Sequence, residues 1–199
     1  MTGLLDLKTV FHKNKEQLFK NISLNKNAFA FSVNYSVLVE EFIRSLTGPK
    51  KFSFALASSG SFSRRELSPY SDIDLIFIVK SFDEKDEDIQ QLVTLLWDNG
   101  IEVSHTVREF TDIEKYRNED LHTFTQFFET RFLLGSVKIY KEWNKLLLAN
   151  ISREDKADLI NEFFSDINSR HHKYGDSPKV LEPNVKMSAG GLRDFQAIE

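Results

Sequence analysis

Two aspartates that flank a single residue are the first feature of this sequence whose spacing indicates chemistry. Asp72 and Asp74 stand at the start of a run rich in isoleucine, leucine, phenylalanine and valine. Residues i and i+2 of a β-strand point to the same face, about 7 Å apart at the backbone, so both carboxylates are expected to project together. Hard oxygen ligands in this arrangement favour magnesium or manganese, whereas an isolated Asp-x-Asp more often only ends a strand.

The segment upstream of the aspartates makes a phosphate site the better interpretation. Gly60 and Ser61 follow an apolar segment, about ten residues before the aspartate pair. Glycine lets a backbone approach a phosphate closely, and the hydroxyls of Ser61 and Ser63 can donate to phosphate oxygens. Arg64 and Arg65 can add charge-assisted hydrogen bonds. Alone this is a solvated serine-rich loop; with the aspartates it predicts phosphoryl or nucleotidyl transfer, in which two metal ions roughly 4 Å apart neutralise a triphosphate.

Three strand-like segments are expected to position these residues. Residues 52–57 alternate between apolar and polar, residues 72–79 are apolar enough for a buried strand, and residues 101–107 alternate again. By this alternation Glu102 shares a face with the neighbouring serine and threonine. His105 lies on the opposite face and is predicted to be structural rather than a catalytic base. A small mixed sheet flanked by helices is the architecture that these segments predict.

The rest of the chain is predicted to be mainly helical. Gly48 and Pro49 end an N-terminal helical pattern, and Thr111 to Glu114 has the spacing of a capping box. The predicted helical stretches are residues 1–47, 83–99, 111–172 and a helix start at 192–195, with residues 178–188 extended. The predicted domains are N-terminal helices over residues 1–49, a core over 50–110 and a helical region over 111–199, cut from a longer chain, with the cleft between core and helical region.

Composition excludes several classes of protein. The 199 residues carry 26 basic and 30 acidic side chains, and this net charge of −4 argues against a broad nucleic-acid surface. A hydrophobic fraction of 41%, with 18 phenylalanines, supports a packed core. The sequence has no cysteine, which excludes disulfides, thiolate zinc sites and a cysteine nucleophile and fits the reducing cytoplasm. No apolar run approaches the roughly 18 residues of a membrane span.

The motifs together resemble a known family. Apolar-Gly-Ser, a ten-residue spacer and Asp-x-Asp resemble the signature of the DNA polymerase β-like nucleotidyltransferase superfamily. Residues 66–75 are more specifically similar to the bacterial PII uridylyltransferase/uridylyl-removing enzymes. Residues 97–108, 170–176 and 181–194 resemble later segments of that family in the same order, so the resemblance covers about residues 50–199. It implies an α/β (α+β) fold with a polymerase β-like core, a small mixed sheet, N-terminal helices and a C-terminal helical region.

The resemblance also implies residue roles. Gly60 and Ser61 would bind nucleotide phosphates, and Asp72 and Asp74 would hold Mg²⁺ or Mn²⁺. The superfamily needs a third carboxylate from a neighbouring strand, for which Glu102 is the best match, with an exposed strand acid as the alternative. Further nucleotide-binding candidates are Ser63, Arg64, Lys186 and Arg193. Lys186 and Arg193, with the neighbouring Asn184 and Asp194, have a structural role in the cleft as an equal alternative.

The implied activity is transfer of UMP from UTP to a tyrosine of the small signalling protein PII, with no nucleic-acid or membrane partner. Two alternatives stay open: an adenylyltransferase of the glutamine synthetase type, and a degenerate module that binds nucleotide without catalysis. The second is motivated by departures from the family, in which glycine is more usual at Ser61, Ser63, Arg65 and Ser104, and proline at Ala189. None of the five histidines precedes an aspartate, so removal of uridylyl groups is not expected of this segment.

Overall fold

The structure, a computed structural model, describes residues 2–25, 27–81, 87–151, 155–175, 182 and 184–196. The chain divides into two compact units, Met1–Asn150 and Ile151–Glu199. The first unit contains, in chain order, α1 (Thr2–Asn25), α2 (Ala28–Thr47), β1 (Ala55–Ser59), α3 (Gly60–Ser63), β2 (Ile73–Val79), α4 (Glu87–Asp98), β3 (Val103–Glu109), α5 (Thr111–Glu119), α6 (Leu121–Gln126), β4 (Thr130–Gly135) and α7 (Val137–Ala149). The second unit contains α8 (Asp155–Tyr174) and α9 (Leu192–Gln196).

A mixed four-stranded sheet forms the centre of the first unit. The strand order is β3-β2-β1-β4. Strand β1 is antiparallel to both β2 and β4, whereas β2 and β3 are parallel. The sequence of β2 is apolar apart from Asp74, as expected for a strand covered on both faces. The predicted mixed α/β fold with a small mixed sheet is therefore confirmed.

Aromatic packing holds the N-terminal helices against one face of the sheet. Phe11 of α1 stacks on Phe42 of α2 at 4.1 Å between ring centroids, and Phe54 meets Phe77 of β2 edge to face at 5.2 Å. All four side chains belong to one buried cluster, which also includes residues of α4. Burying a phenylalanine contributes up to about 3 kcal/mol, so the many phenylalanines account for much of this packing. Trp143 of α7 is fully buried outside that cluster.

Most predicted elements are present, with shifted ends. Helices α1 and α2 occupy the predicted N-terminal helical region, and Gly48 ends α2 with a φ of +56°. The predicted strand over residues 52–57 begins later, at Ala55, because residues 52–54 lie before the sheet pairing. Strand β3 also begins two residues later than predicted and extends to Glu109. Helix α4 matches the predicted helix within the described residues.

Three predictions about the later part of the chain are wrong. The segment over residues 111–172, predicted to be helical throughout, contains β4, which pairs antiparallel with β1. Thr111 is not a helix cap: Phe110 holds that position without a side-chain hydrogen bond, and the Asp112 carboxylate instead accepts from the Glu109 amide at 2.9 Å. Residues 184–188 form a turn rather than an extended segment, closed by the Ser188 amide donating to the Asn184 carbonyl at 2.9 Å.

None of the helices in the described residues is both long enough and apolar enough to cross a membrane.

Candidate functional site

The bend that follows β1 lies directly against one of the two aspartates. Gly60 begins α3 with a φ of +54°, a left-handed conformation that glycine adopts without strain. A Cβ atom built on Gly60 would lie 3.4 Å from Oδ2 of Asp74. The antiparallel register explains this proximity, because Ser58 is opposite Leu75 and the next pair along the two strands is Ser59 and Asp74. The structure thus brings together the glycine and the carboxylate that the motif predicted.

Both aspartates are accessible from solvent. Asp72 precedes β2 and is exposed, and Asp74 within β2 is half-buried. The parallel register places Ser104 of β3 beside Asp74, and the Ile73 amide donates to the Glu102 carbonyl at 3.2 Å. Two carboxylates at the start of one strand, open to solvent and next to a glycine backbone, have the donor chemistry that suits a hard divalent cation.

The predicted third acid lies on the rim of a cavity. Glu102 is exposed. The cavity has a volume of about 250 Å³ and lies between the N-terminal helices and the loop before β2; Phe11, Lys15, Tyr35 and Tyr70 contribute to its lining. Among the residues that the structure describes, no three His, Cys, Asp or Glu side chains are grouped so that they could hold a metal ion. The assignment of Glu102 as third ligand therefore stays a prediction.

His105 has the surroundings of a structural side chain. Its ring lies edge to face with Phe77 at 6.0 Å and with Trp97 at 6.1 Å between centroids. His105 is opposite Leu75 in the register, one position away from the Asp74–Ser104 pair and hence on the opposite face of the sheet. His105 is exposed on β3, so its structural role stays a prediction that these two ring contacts support.

Two predicted phosphate ligands in the bend already have partners within the protein. The Ser63 hydroxyl donates to the Gly60 carbonyl at 2.8 Å, which closes the short helix α3. Arg64 forms ion pairs with Glu66, at 2.9 Å, and with Glu129. Ser61 is half-buried at the start of the bend. Phosphate binding by Ser61, Ser63 and Arg64 stays a prediction. Ser63 and Arg64 could bind phosphate only if they shared or gave up their present partners within the protein.

Sequence reasoning missed two residues that support the bend: Arg131, which binds its backbone, and Glu40, which pairs with Arg131. Arg131 of β4 donates from Nε to the Ser63 carbonyl at 3.0 Å and from Nη2 to the Phe62 carbonyl at 3.1 Å. Its Nη1 pairs with Glu40 of α2, a residue only 9% exposed. The sequence offers no signal for either residue, because Glu40 stands beside Glu41 and Arg131 lies two residues after Glu129.

In the second unit, Asp194 is the centre of a hydrogen-bonded turn. Its carboxylate accepts from Arg170 at 2.6 Å, from His171 at 2.9 Å and from the Gly190 amide at 2.7 Å. Partial burial raises the pKa of Asp194, but the hydrogen bonds from Arg170, His171 and Gly190 outweigh it and lower the pKa to about 2. These hydrogen bonds favour the structural role of Asp194 that the sequence left open beside a role in the cleft.

The two nucleotide-binding candidates of this unit differ in their surroundings. Arg193 donates to Gln196 at 3.3 Å, whereas Lys186 is exposed. A Cβ atom on Gly191 would lie 2.8 Å from the Ser188 carbonyl oxygen, so this glycine permits close packing of the turn on itself. Roles of Lys186 and Arg193 in nucleotide binding stay predictions.

Comparison with known proteins bears out the resemblance that the motifs predicted. A family model described as GlnD PII-uridylyltransferase matches residues 158–199. Proteins named bifunctional uridylyltransferase/uridylyl-removing enzyme are 40% identical over 147 residues in Hydrogenovibrio crunogenus, 35% over 165 residues in Bordetella avium and 32% over 147 residues in Azospirillum brasilense. These matches cover 72%, 81% and 73% of this chain but only 16%, 19% and 16% of the relatives. The chain therefore spans less than a fifth of the length of these relatives.

Proposed function

We propose that this chain, a relative of the bifunctional uridylyltransferase/uridylyl-removing enzymes, carries the nucleotidyltransferase site of such an enzyme. The observation that supports the proposal best is the proximity of the Gly60 bend to the Asp74 carboxylate, with space for about one methyl group between them. A phosphate-binding backbone and a cation-binding carboxylate must meet at one place for nucleotidyl transfer, and these two motifs lie eleven residues or more apart in the sequence yet adjoin in the fold. Asp72 extends the acidic surface of the same strand.

The arrangement suggests how the reaction would proceed. The bend at Gly60 and Ser61 would bind the triphosphate and fix its orientation, and Asp72 and Asp74 would hold Mg²⁺ or Mn²⁺. When bound there, the cation neutralises negative charge on the triphosphate. The acceptor oxygen attacks the α-phosphorus, the bond between the α- and β-phosphates breaks, and pyrophosphate leaves. The contribution of this chain is to align the two reactants, which lowers the barrier through proximity and orientation.

The identity of both substrates is part of the proposal. The family model is named for uridylyl transfer to PII and the relatives for uridylyl transfer, which supports a uridylyl donor and a PII-type acceptor. UTP as the donor and a tyrosine as the acceptor group are what the sequence resemblance implies. The residues around Gly60 and Asp74 would contact phosphate and metal rather than a base, so they are compatible with any nucleoside triphosphate. We include a cytoplasmic location in the proposal because the sequence has no cysteine.

Metal-dependent nucleotide binding tests the proposed site. We expect UTP with Mg²⁺ to raise the thermal unfolding temperature of the wild-type protein and UTP with a chelator to leave it unchanged. Asp74→Asn keeps the shape of the side chain but removes its charge, so this variant should lose the metal-dependent shift. Asp98→Asn, at an exposed position at the end of α4, is the matched control and should retain it. If the wild-type protein binds UTP under no metal condition, the proposed site is wrong.

One observation favours a second candidate, a nucleotide-binding module without catalysis. Among residues 2–25, 27–81 and 87–150 of the first unit, no three carboxylates are grouped so that they could hold a metal ion. Incubation with UTP, Mg²⁺ and a PII-type protein distinguishes the two: release of pyrophosphate supports the transferase, and binding without release supports the module. Replacing UTP by ATP in the same assay separates a uridylyltransferase from an adenylyltransferase.

A further inference from the structure

We propose that Arg131 and Glu40 are positioning residues that hold the Gly60–Ser63 bend in place for nucleotide binding. The inference rests on the proposed function of that bend. Neither residue belongs to a predicted motif. Glu40 lies on α2, before the bend in the sequence, and Arg131 lies on β4, after it. The fold brings them together across 91 positions of the chain.

Arg131 binds the bend through its backbone. Its guanidinium donates to the carbonyl oxygens of Phe62, at 3.1 Å, and Ser63, at 3.0 Å. The same group lies 5.7 Å from the centroid of the Phe62 ring. A planar guanidinium can reach two carbonyls and a carboxylate at once, which a lysine ammonium on a flexible stem cannot do with the same geometry. Arg131 therefore fixes both the position and the orientation of the last turn of α3.

The backbone of Arg131 is itself fixed to the strand that precedes the bend. Ser58 is paired with Arg131 in the β1–β4 register, and the Ser58 hydroxyl donates to the Arg131 carbonyl at 3.2 Å. The guanidinium thus reaches the bend from a residue that cannot move independently of β1. This connection makes β4 a support for the bend rather than only an edge of the sheet.

Glu40 supplies the charge that holds the guanidinium. Its side chain is 11% exposed and pairs with Arg131, with Arg65 at 3.7 Å and with Arg44 at 2.8 Å. A buried carboxylate is stable only when it is paired, so Glu40 and its arginines depend on one another. Two of these arginines are attached to the bend: Arg131 by hydrogen bonds and Arg65 by the chain itself.

Displacement of the bend would change how it meets a phosphate. The bend and Asp74 are separated by the space of about one methyl group at Gly60. A shift of the bend alters the contact with the triphosphate in the ground state and in the transition state to the same degree. Loss of this kind of uniform binding raises KM and leaves kcat largely unchanged.

Two variants and one matched control test the proposal in the full chain. Arg131→Lys keeps the charge and removes the planar group; Glu40→Gln keeps the shape and removes the charge. Arg44→Gln removes another ion pair of the same carboxylate, but Arg44 is half exposed and lies one turn further along α2, away from the bend. Hydrogen exchange of amides 60–66 reports the bend directly, and KM and kcat for UTP report its use.

We expect Arg131→Lys and Glu40→Gln to speed exchange of residues 60–66 about tenfold and to raise KM roughly tenfold, with kcat changed less than about threefold. Arg44→Gln should resemble wild type. Wild-type exchange and KM in both variants would overturn the proposal. So would global unfolding of Glu40→Gln, because the pair would then be required for folding as a whole. If exchange rises but wild-type protein never uses UTP, the network stands and the proposed function fails.

Discussion

Gly60 is the residue at which backbone conformation and the candidate chemistry coincide. We expect Gly60→Ala to cost about 1 kcal/mol of stability, because alanine is strained at positive φ, and to abolish most nucleotide binding, because its methyl group would lie against Asp74. Gly48→Ala is the control: Gly48 has a similar φ of +56°, and a Cβ atom there has nothing within 4 Å. Thermal unfolding and UTP binding with Mg²⁺ measure the two effects. Equal UTP binding by both variants would contradict a role for the space at Gly60.

Arg65 shows what residue types alone can and cannot predict. The sequence identified it as a bulky departure at a position where the related family usually has glycine. The backbone explains that preference, because Arg65 is the one non-glycine residue with positive φ among the described residues, at +61°. Its side chain turns to Glu40 at 3.7 Å. The motif predicted the position of the loop, but only the fold shows that Glu40 of α2 pairs with Arg65 there.

Strand β4 is the element that the sequence failed to predict. Its apolar part is the short run Phe132 to Leu134, and the six-residue segment stands between helices. Short apolar runs do not separate strand from helix by periodicity alone, and pairing with β1 decided the outcome here. The longer apolar strand β2 and the amphipathic helix α4 were predicted because their patterns are sufficient without a distant partner.

Substitution of Gly135 measures how tightly the backbone packs at the end of β4. Its φ is +90°, and a Cβ atom there would collide with the carbonyl oxygen of Phe54, which also accepts from the Ser136 amide at 2.8 Å. We expect Gly135→Ala to lower the free energy of unfolding by at least about 3 kcal/mol. Denaturant unfolding measures the loss, with Gly48→Ala as the control for positive φ without a collision, which should lose less. Equal losses in the two variants would show that the backbone moves aside at β4.

At the scale of the whole molecule, the pH dependence of unfolding measures how much the hydrogen bonds of Asp194 in the second unit contribute to stability. The pKa of Asp194 is lowered from 3.8 to about 2, so its hydrogen bonds stabilise the fold above pH 3.8 and are lost as the pH falls toward 2. Asp194→Asn should cost about 2 kcal/mol at pH 7 and almost nothing near pH 2. Unfolding measured across this range gives the difference. Asp166→Asn, at an exposed position of α8, the helix that carries Arg170 and His171, is the control and should cost little at either end of this range. A constant cost for Asp194→Asn would contradict the role of these hydrogen bonds.

The site as a whole was predictable only in part. The glycine and the aspartates carry a signal because their spacing is local, and the structure brings Gly60 and Asp74 together. Arg131 and Glu40 carry no such signal, because they are 91 positions apart in the sequence. Only the folded chain brings them together as an ion pair. Buried polar contacts of this kind depend on tertiary packing, which periodicity does not encode.

The position of β4 beside β1 has a practical consequence for anyone who trims the chain to its recognisable motifs. A fragment of residues 50–110 would keep both aspartates and the glycine, but β1 would become a bare outer strand and Phe62 would lose its covering guanidinium. The fragment would contain Gly60, Asp72 and Asp74 but would lack the contacts that stabilise the sheet and the bend. The smallest piece worth expressing therefore begins with the first helices and runs past residue 135.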